Sequence, residues 1–243
     1  MMPTRRGLFL ALPALLVAGR PGFAAPAPVD RAYLMEMNGI DVAGMRLSQV
    51  FLGDRVLMRL DLRTKGLARL FAGESRTTMR TEASLAGRVP MPRRFEVRYA
   101  KPDRVREISL LYGGDGTIKA LDLKSDGKAQ PSEVPRALQL DTVDPLTAIL
   151  RIQAWLRTGP ALGAETVQRV FDGRKRLDAH ARLAGEGRLQ TALVGLSGFD
   201  EKDKMATLPG DPPRWSEVTL DQGAWPLPRR IEGEGRLSLR LDD

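Results

Sequence analysis

The sequence predicts a mainly β protein, a single curved antiparallel sheet or open half-barrel of about ten strands with one main α-helix, about 144–158, packed on it. Three observations carry this. Apolar and charged residues alternate with a period of two along several runs, glycine-bearing turns recur between the runs, and one segment alone changes to helical spacing. With 42% apolar and 28% charged residues in 243, the chain can bury a core, which excludes a disordered polyelectrolyte and a polytopic membrane protein. There is no cysteine, so disulfides, thiolate metal sites and a cysteine nucleophile are excluded.

The N-terminus reads as an export signal, residues 1–24. Arg5 and Arg6 precede an apolar run from Leu8 to Ala18, and Gly22-Phe23-Ala24 supplies the small residues of a cleavage site after Ala24. The run is too short for the ~20 residues a membrane helix needs, so no transmembrane segment is expected after cleavage. Thr4-Arg5-Arg6-Gly7-Leu8-Phe9-Leu10 fits a twin-arginine signal as well as an ordinary secretory one, and both imply a periplasmic protein. Residues 25–31 read as an extended leader, and 32–243 as a single β-rich domain.

Within that domain Val56, Met58, Leu60 and Leu62 alternate with Leu57, Arg59, Asp61 and Arg63, giving one apolar and one mainly charged face. Phe95, Val97 and Tyr99 alternate with Arg94, Glu96 and Arg98; Leu177, Ala179, Ala181 and Leu183 alternate with Asp178, His180 and Arg182. Gly53-Asp54, Lys65-Gly66, Gly113-Gly114-Asp115-Gly116, Asp126-Gly127 and Asp172-Gly173 read as hairpin turns. From Asp144 to Thr158 the apolar residues Leu146, Ile149, Leu150 and Leu156 fall on one helical face, with Trp155 beside it. Asp144 suits the N-cap, Pro145 the first helical position, and Gly159-Pro160 the end. Loss of the cap alone in Asp144→Ala is expected to cost about 1 kcal/mol. A final strand is expected from Ile231 to Leu241.

Several segments, in order, resemble the bacterial exported-protein family called domain of unknown function 3108. They are Tyr33 with the hairpin Gly39-Ile40-Asp41-Val42-Ala43-Gly44, the helix start Asp144-Pro145-Leu146-Thr147-Ala148, and Val170-Phe171-Asp172-Gly173-Arg174. Trp215, Asp221, Pro228 and Arg230 extend the likeness towards Leu241. The resemblance implies an envelope location and a curved antiparallel sheet, similar to the half-barrels of periplasmic lipoprotein carriers. It supplies no catalytic residue.

Nothing in the residues calls for a catalytic centre, a metal or a cofactor. His180, the lone histidine, lies on a charged strand face and reads as a solvated side chain. Ser197 is followed by Gly198-Phe199 and lacks the second glycine of a nucleophile elbow. The glycine turns are not followed by calcium-loop donors, and no phosphate-binding glycine fingerprint opens a helix.

Charge is more informative. Residues 31–112 carry 16 Lys and Arg against 9 Asp and Glu, whereas 113–243 carry 19 against 20. Arg59, Arg76, Arg80, Arg94 and Arg98 are expected on neighbouring strands together with Arg63, Arg104 and Arg106, where guanidinium forks suit phosphate or carboxylate. The first five, with Trp155, are the candidate ligand-binding residues. Phe51, Phe95, Met58, Met79 and Trp215 are core residues or the lining of a lipid cavity. Nucleic acid is not expected, because no recognition helix or interleaved aromatic platform is present. The function expected is a non-enzymatic periplasmic protein that binds a hydrophobic or anionic envelope ligand, its partners a lipid, a lipoprotein or another envelope protein. The alternatives are an envelope assembly protein without a ligand cavity and a hydrolase using Asp141, Asp144 or Asp221.

Overall fold

The computed structural model describes residues 26–242 apart from 67, 68, 70–72, 88, 200–205 and 234–236. The expected signal, 1–24, therefore lies outside the described residues. Strands β1 (Val29–Met37), β2 (Ile40–Leu52), β3 (Arg55–Thr64), β4 (Arg76–Ser84), β5 (Met91–Lys101), β6 (Arg104–Tyr112), β7 (Ile118–Ser125) and β8 (Lys128–Ala129) form an antiparallel meander. Two short helices follow, α1 (Arg136–Gln139) and α2 (Pro145–Leu156). Then β9 (Glu165–Phe171), β10 (Arg176–Gly185), β11 (Arg188–Ser197), β12 (Ser216–Leu220), β13 (Pro228–Glu232) and β14 (Leu237–Leu241) make a second meander. Its last strand joins the first of the other, Tyr33 opposite Leu241, giving one open sheet ordered 8-7-6-5-4-3-2-1-14-13-12-11-10-9.

Among the described residues the sheet has 14 strands rather than about ten. The lower count rests on glycine turns, and the structure also turns without glycine: β5 passes to β6 through Pro102-Asp103, Lys101 standing opposite Arg104. The single expected strand from Ile231 to Leu241 is in fact β13 and β14, with Ile231 opposite Leu239. Pairing also begins earlier than expected, since β1 starts at Val29, opposite Gln49, inside the stretch read as leader.

Between β8 and β9 the chain crosses from one edge of the sheet to the other and carries both helices. Val143 anchors the far end by a parallel bridge to Val170. Immediately after it, Asp144 caps α2, its Oδ1 accepting from the Leu146 and Thr147 amides at 3.0 and 2.9 Å. Arg157 caps the other end and Gly159, at φ +67°, turns the chain away. The helix lies on the inner face of the sheet. Leu146 and Leu150 pack with Tyr33, Leu47, Val56, Met58 and Leu227, while Gln153 meets Gln49 at 3.3 Å.

The sheet must curl strongly. In a flat sheet β6 and β9, eleven places apart in the order, would stand roughly 50 Å from each other at the usual strand spacing. Yet Phe171, at the end of β9, is buried with Phe95, Ile108 and Leu123 of β5, β6 and β7. The turn that follows continues the contact: Tyr99 donates to Asp172 at 3.4 Å and Ser132 to the Gly173 carbonyl at 3.0 Å. Gly173 has φ +96°, and a Cβ there would run into Cγ2 of Ile108. Positive φ and overlap with a packed side chain add, so Gly173→Ala is expected to destabilise the fold by about 3 kcal/mol. Urea denaturation of the two proteins measures it; a loss below about 0.5 kcal/mol would show that the turn does not rest on the opposite strands.

Candidate functional site

Strand alternation assigns the arginines to a face. Thr81 of β4 points inward, donating to Asp144 Oδ2 of the helix cap at 3.1 Å, so its neighbours Arg80 and Glu82 point outward. The same parity turns Val56 and Met58 inward and Arg59 outward on β3, and Phe95 and Val97 inward and Arg94, Glu96 and Arg98 outward on β5. Arg59, Arg76, Arg80 and Arg98 thus meet along an outer cleft of about 500 Å³ that reaches Asp122 and Lys124 of β7. A second hollow of about 550 Å³ shares Arg59 and Arg76 and extends the trough to Arg46, Arg63 and Lys65. Together they are lined by eight basic and six acidic side chains.

Most of these charges already have partners. Asp61 receives Arg59 at 2.6 Å, Arg76 at 3.2 Å and the Thr78 hydroxyl at 2.9 Å. Those donors, the Arg59 hydrogen bond first, hold its carboxyl far below the usual carboxylate range. Arg98 pairs with Glu107 at 3.4 Å and Lys124 with Asp122 at 2.8 Å. Arg80 differs. It stands opposite Arg59 on one side and Glu96 on the other, but Glu96 is held by Arg94 at 2.6 Å. Among the described residues Arg80 has no ion pair or side-chain hydrogen bond, which leaves a free cation at the centre of the trough.

Of the expected ligand residues, the structure therefore brings Arg59, Arg76, Arg80 and Arg98 together. Arg94 shares their face but is paired with Glu96 and does not line the trough. Trp155 is separated from all five, because α2 lies on the inner face and the arginines point outward. Arg106 also departs from the outer group: it has the parity of Ile108 and Leu110 and faces inward. Sequence reasoning passed over Arg46, Asp61 and Lys124 as trough residues. The signal was present in β7, where Asp122 and Lys124 alternate with Leu121 and Leu123.

Phe51, Met58 and Phe95 are buried in the core, and Trp215 lies under the Arg182 guanidinium at 4.3 Å. His180 keeps part of its side chain in solvent and bonds Glu165 at 2.7 Å, its ring 6.3 Å from that of Trp215. Asp141, Asp144 and Asp221 share no partner: Asp141 is exposed near Arg169, Asp144 is buried beneath α2, and Asp221 accepts from the Gly223 and Leu227 amides.

An open, helix-covered antiparallel sheet with a basic outer trough defines a class of β scaffold rather than an activity. The chain belongs to the family described as protein of unknown function DUF3108, whose model matches residues 32–203. The match covers β2–β11 and α2 but stops before Trp215, Asp221, Pro228 and Arg230. Comparison with curated proteins and with solved structures gives no match. No helix among the described residues is long and apolar enough to cross a membrane.

The most perturbed carboxyl inside the fold is Asp144. Complete burial pushes it up to about 6, against the pull of hydrogen bonds from Thr147, Leu146 and Thr81. A raised carboxyl makes the folded state the better proton binder between its ordinary value near 4 and about 6. Stability should accordingly fall as pH rises from 4 to 6, by about 3 kcal/mol at most, then level off. Asp144→Asn retains a cap acceptor and should flatten that slope in chemical denaturation at successive pH values; an unchanged slope would place the titration elsewhere. Asp144→Ala removes the partner of four donors and should cost about 3 kcal/mol, above the loss of the cap alone.

Proposed function

We propose that this protein is a non-enzymatic periplasmic module that binds an anionic envelope ligand along the outer trough of its sheet. The observation that carries the reading is Arg80, a guanidinium without a counter-ion in a cleft whose carboxylates are already engaged. An incoming phosphate or carboxylate meets that cation without displacing an existing pair, and the surrounding excess of basic residues raises its local concentration. The hydrophobic version of the reading has less support, because Leu146, Leu150, Trp225 and Leu227 fill the inner hollow. The N-terminal signal read from the sequence supports the periplasmic location.

The assembly alternative is favoured by one observation, the edge strand β7. β8 pairs with it at Lys124 and Ser125 and the Gln130 amide donates to the Leu123 carbonyl, which leaves the outer backbone edge from Ile118 to Asp122 for an added strand. Native mass spectrometry of the mature chain purified from its own periplasm separates the two. The anionic reading predicts a copurifying small anionic molecule that Arg80→Glu reduces at least tenfold, the loss of one charge-assisted contact becoming a repulsion. A lone chain, or a bound molecule indifferent to Arg80→Glu, would contradict it, and a bound protein would favour assembly.

A further inference from the structure

A second group of arginines lies on the other face, outside the trough. Arg106 of β6 points inward at the open end of the curled sheet, and Arg174 comes from the turn between β9 and β10 that lands on β6 and β7. They line one pocket of about 280 Å³ with Ser125, Gln130 and Glu133. Arg174 is presented from a fixed turn, since Asp172 accepts from the Arg174 and Lys175 amides at 2.8 and 2.7 Å and from Tyr99.

Neither guanidinium has an ion pair or side-chain hydrogen bond among the described residues. Glu133, the one carboxylate lining the pocket, stands beyond ion-pair distance of both. Burial and the neighbouring charges of Arg174 and Arg104 make Arg106 less basic than an ordinary arginine, although Tyr99 and Glu133 oppose this. Two unneutralised cations held together in a partly closed pocket form a site of unmet charge.

We infer that Arg106 and Arg174 form a binding site for a phosphate-class oxyanion, separate from the outer trough. A tetrahedral phosphate accepts from two guanidinium forks at once, and Ser125 and Gln130 supply further polar groups at the rim. The volume accommodates a phosphate with a glycerol- or sugar-sized substituent, at roughly 30 Å³ per water displaced, but not an acyl chain. The bound anion would bridge β6 to the β9–β10 turn and so tie together strands that are far apart in the sheet order. The Asp172-Gly173-Arg174 segment, legible in the sequence only as a hairpin, then has a chemical role beside its turn geometry.

The probes are inorganic phosphate and dihexanoyl phosphatidylglycerol below its micellar concentration, titrated calorimetrically into the mature protein at constant ionic strength. In an Arg80→Glu background, which removes the anion contact proposed for the trough, saturable binding of phosphate is expected, weakened at least tenfold by Arg106→Gln and by Arg174→Gln. Arg174→Lys, which keeps the charge and loses the fork, should fall between, and decides the matter if either glutamine variant fails to fold. Binding of the short-chain lipid alone, with the same arginine dependence, supports the site with a headgroup as its source. Absence of saturable binding by both probes, affinity unchanged in the arginine variants, or binding lost in Arg80→Glu would overturn the inference.

Discussion

The structure depends on covering the inner face of one long antiparallel sheet. Fourteen strands present a broad apolar surface, and α2 is the main helix available to bury it. Its fit is set at the buried N-cap. Asp144 follows the Val143 bridge to β9, caps the helix and takes a hydroxyl from Thr81 of β4, so its carboxyl joins the helix to the middle of the sheet right beside the backbone bridge to the far edge. Burying that carboxyl costs free energy, which the hydrogen bonds offset only in part. At the other end Gln153 donates to the Pro226 carbonyl at 3.0 Å and meets Gln49, which places the last turn of α2 against β2 and the segment before β13.

With the inner face occupied by α2 and the core, the charged hollows of the sheet lie on its outer face and at its rims. The outer face is a ladder of cross-strand charges in which most arginines have a carboxylate neighbour, and exposed pairs of this kind contribute little to stability. What they add is a basic field along the trough and, at Arg80 among others, cations left without a carboxylate among the described residues. The inner rim follows a different logic, with Arg106 and Arg174 facing one pocket because the β9–β10 turn must land on β6 and β7 for the curl to close.

Local patterns made much of this legible. The Asp-Pro start and the spacing of Leu146, Ile149 and Leu150 define α2, and alternation around Arg59, Arg80 and Arg98 puts them on one face. Relations between distant segments were less accessible. No glycine marks the Pro102-Asp103 turn, and Gly233 and Gly235, which stand between β13 and β14 in the sequence, fall inside the one strand expected there, so the strand number came out low. Trp155 lies about 140° around the helix from Leu150, off the buried stripe, while Gln153 is buried despite its polarity because Gln49 and the Pro226 carbonyl satisfy it. Arg106 illustrates the same limit: its parity with Ile108 and Leu110 is local, but its meeting with Arg174 depends on the curl that brings the β9–β10 turn to β6.

Packed through Leu146 and Leu150, α2 is part of the core rather than a lid over a ligand cavity. Native-state hydrogen exchange tests this most directly, through the amides of Leu150 and Gln153 and those of the central strands β2–β5. Exchange of the helix only through global unfolding, with the same opening free energy as these strands, is the expected result. Exchange of α2 through a separate opening of much lower free energy, while the strands stay protected, would contradict it and return the ligand to the inside of the sheet.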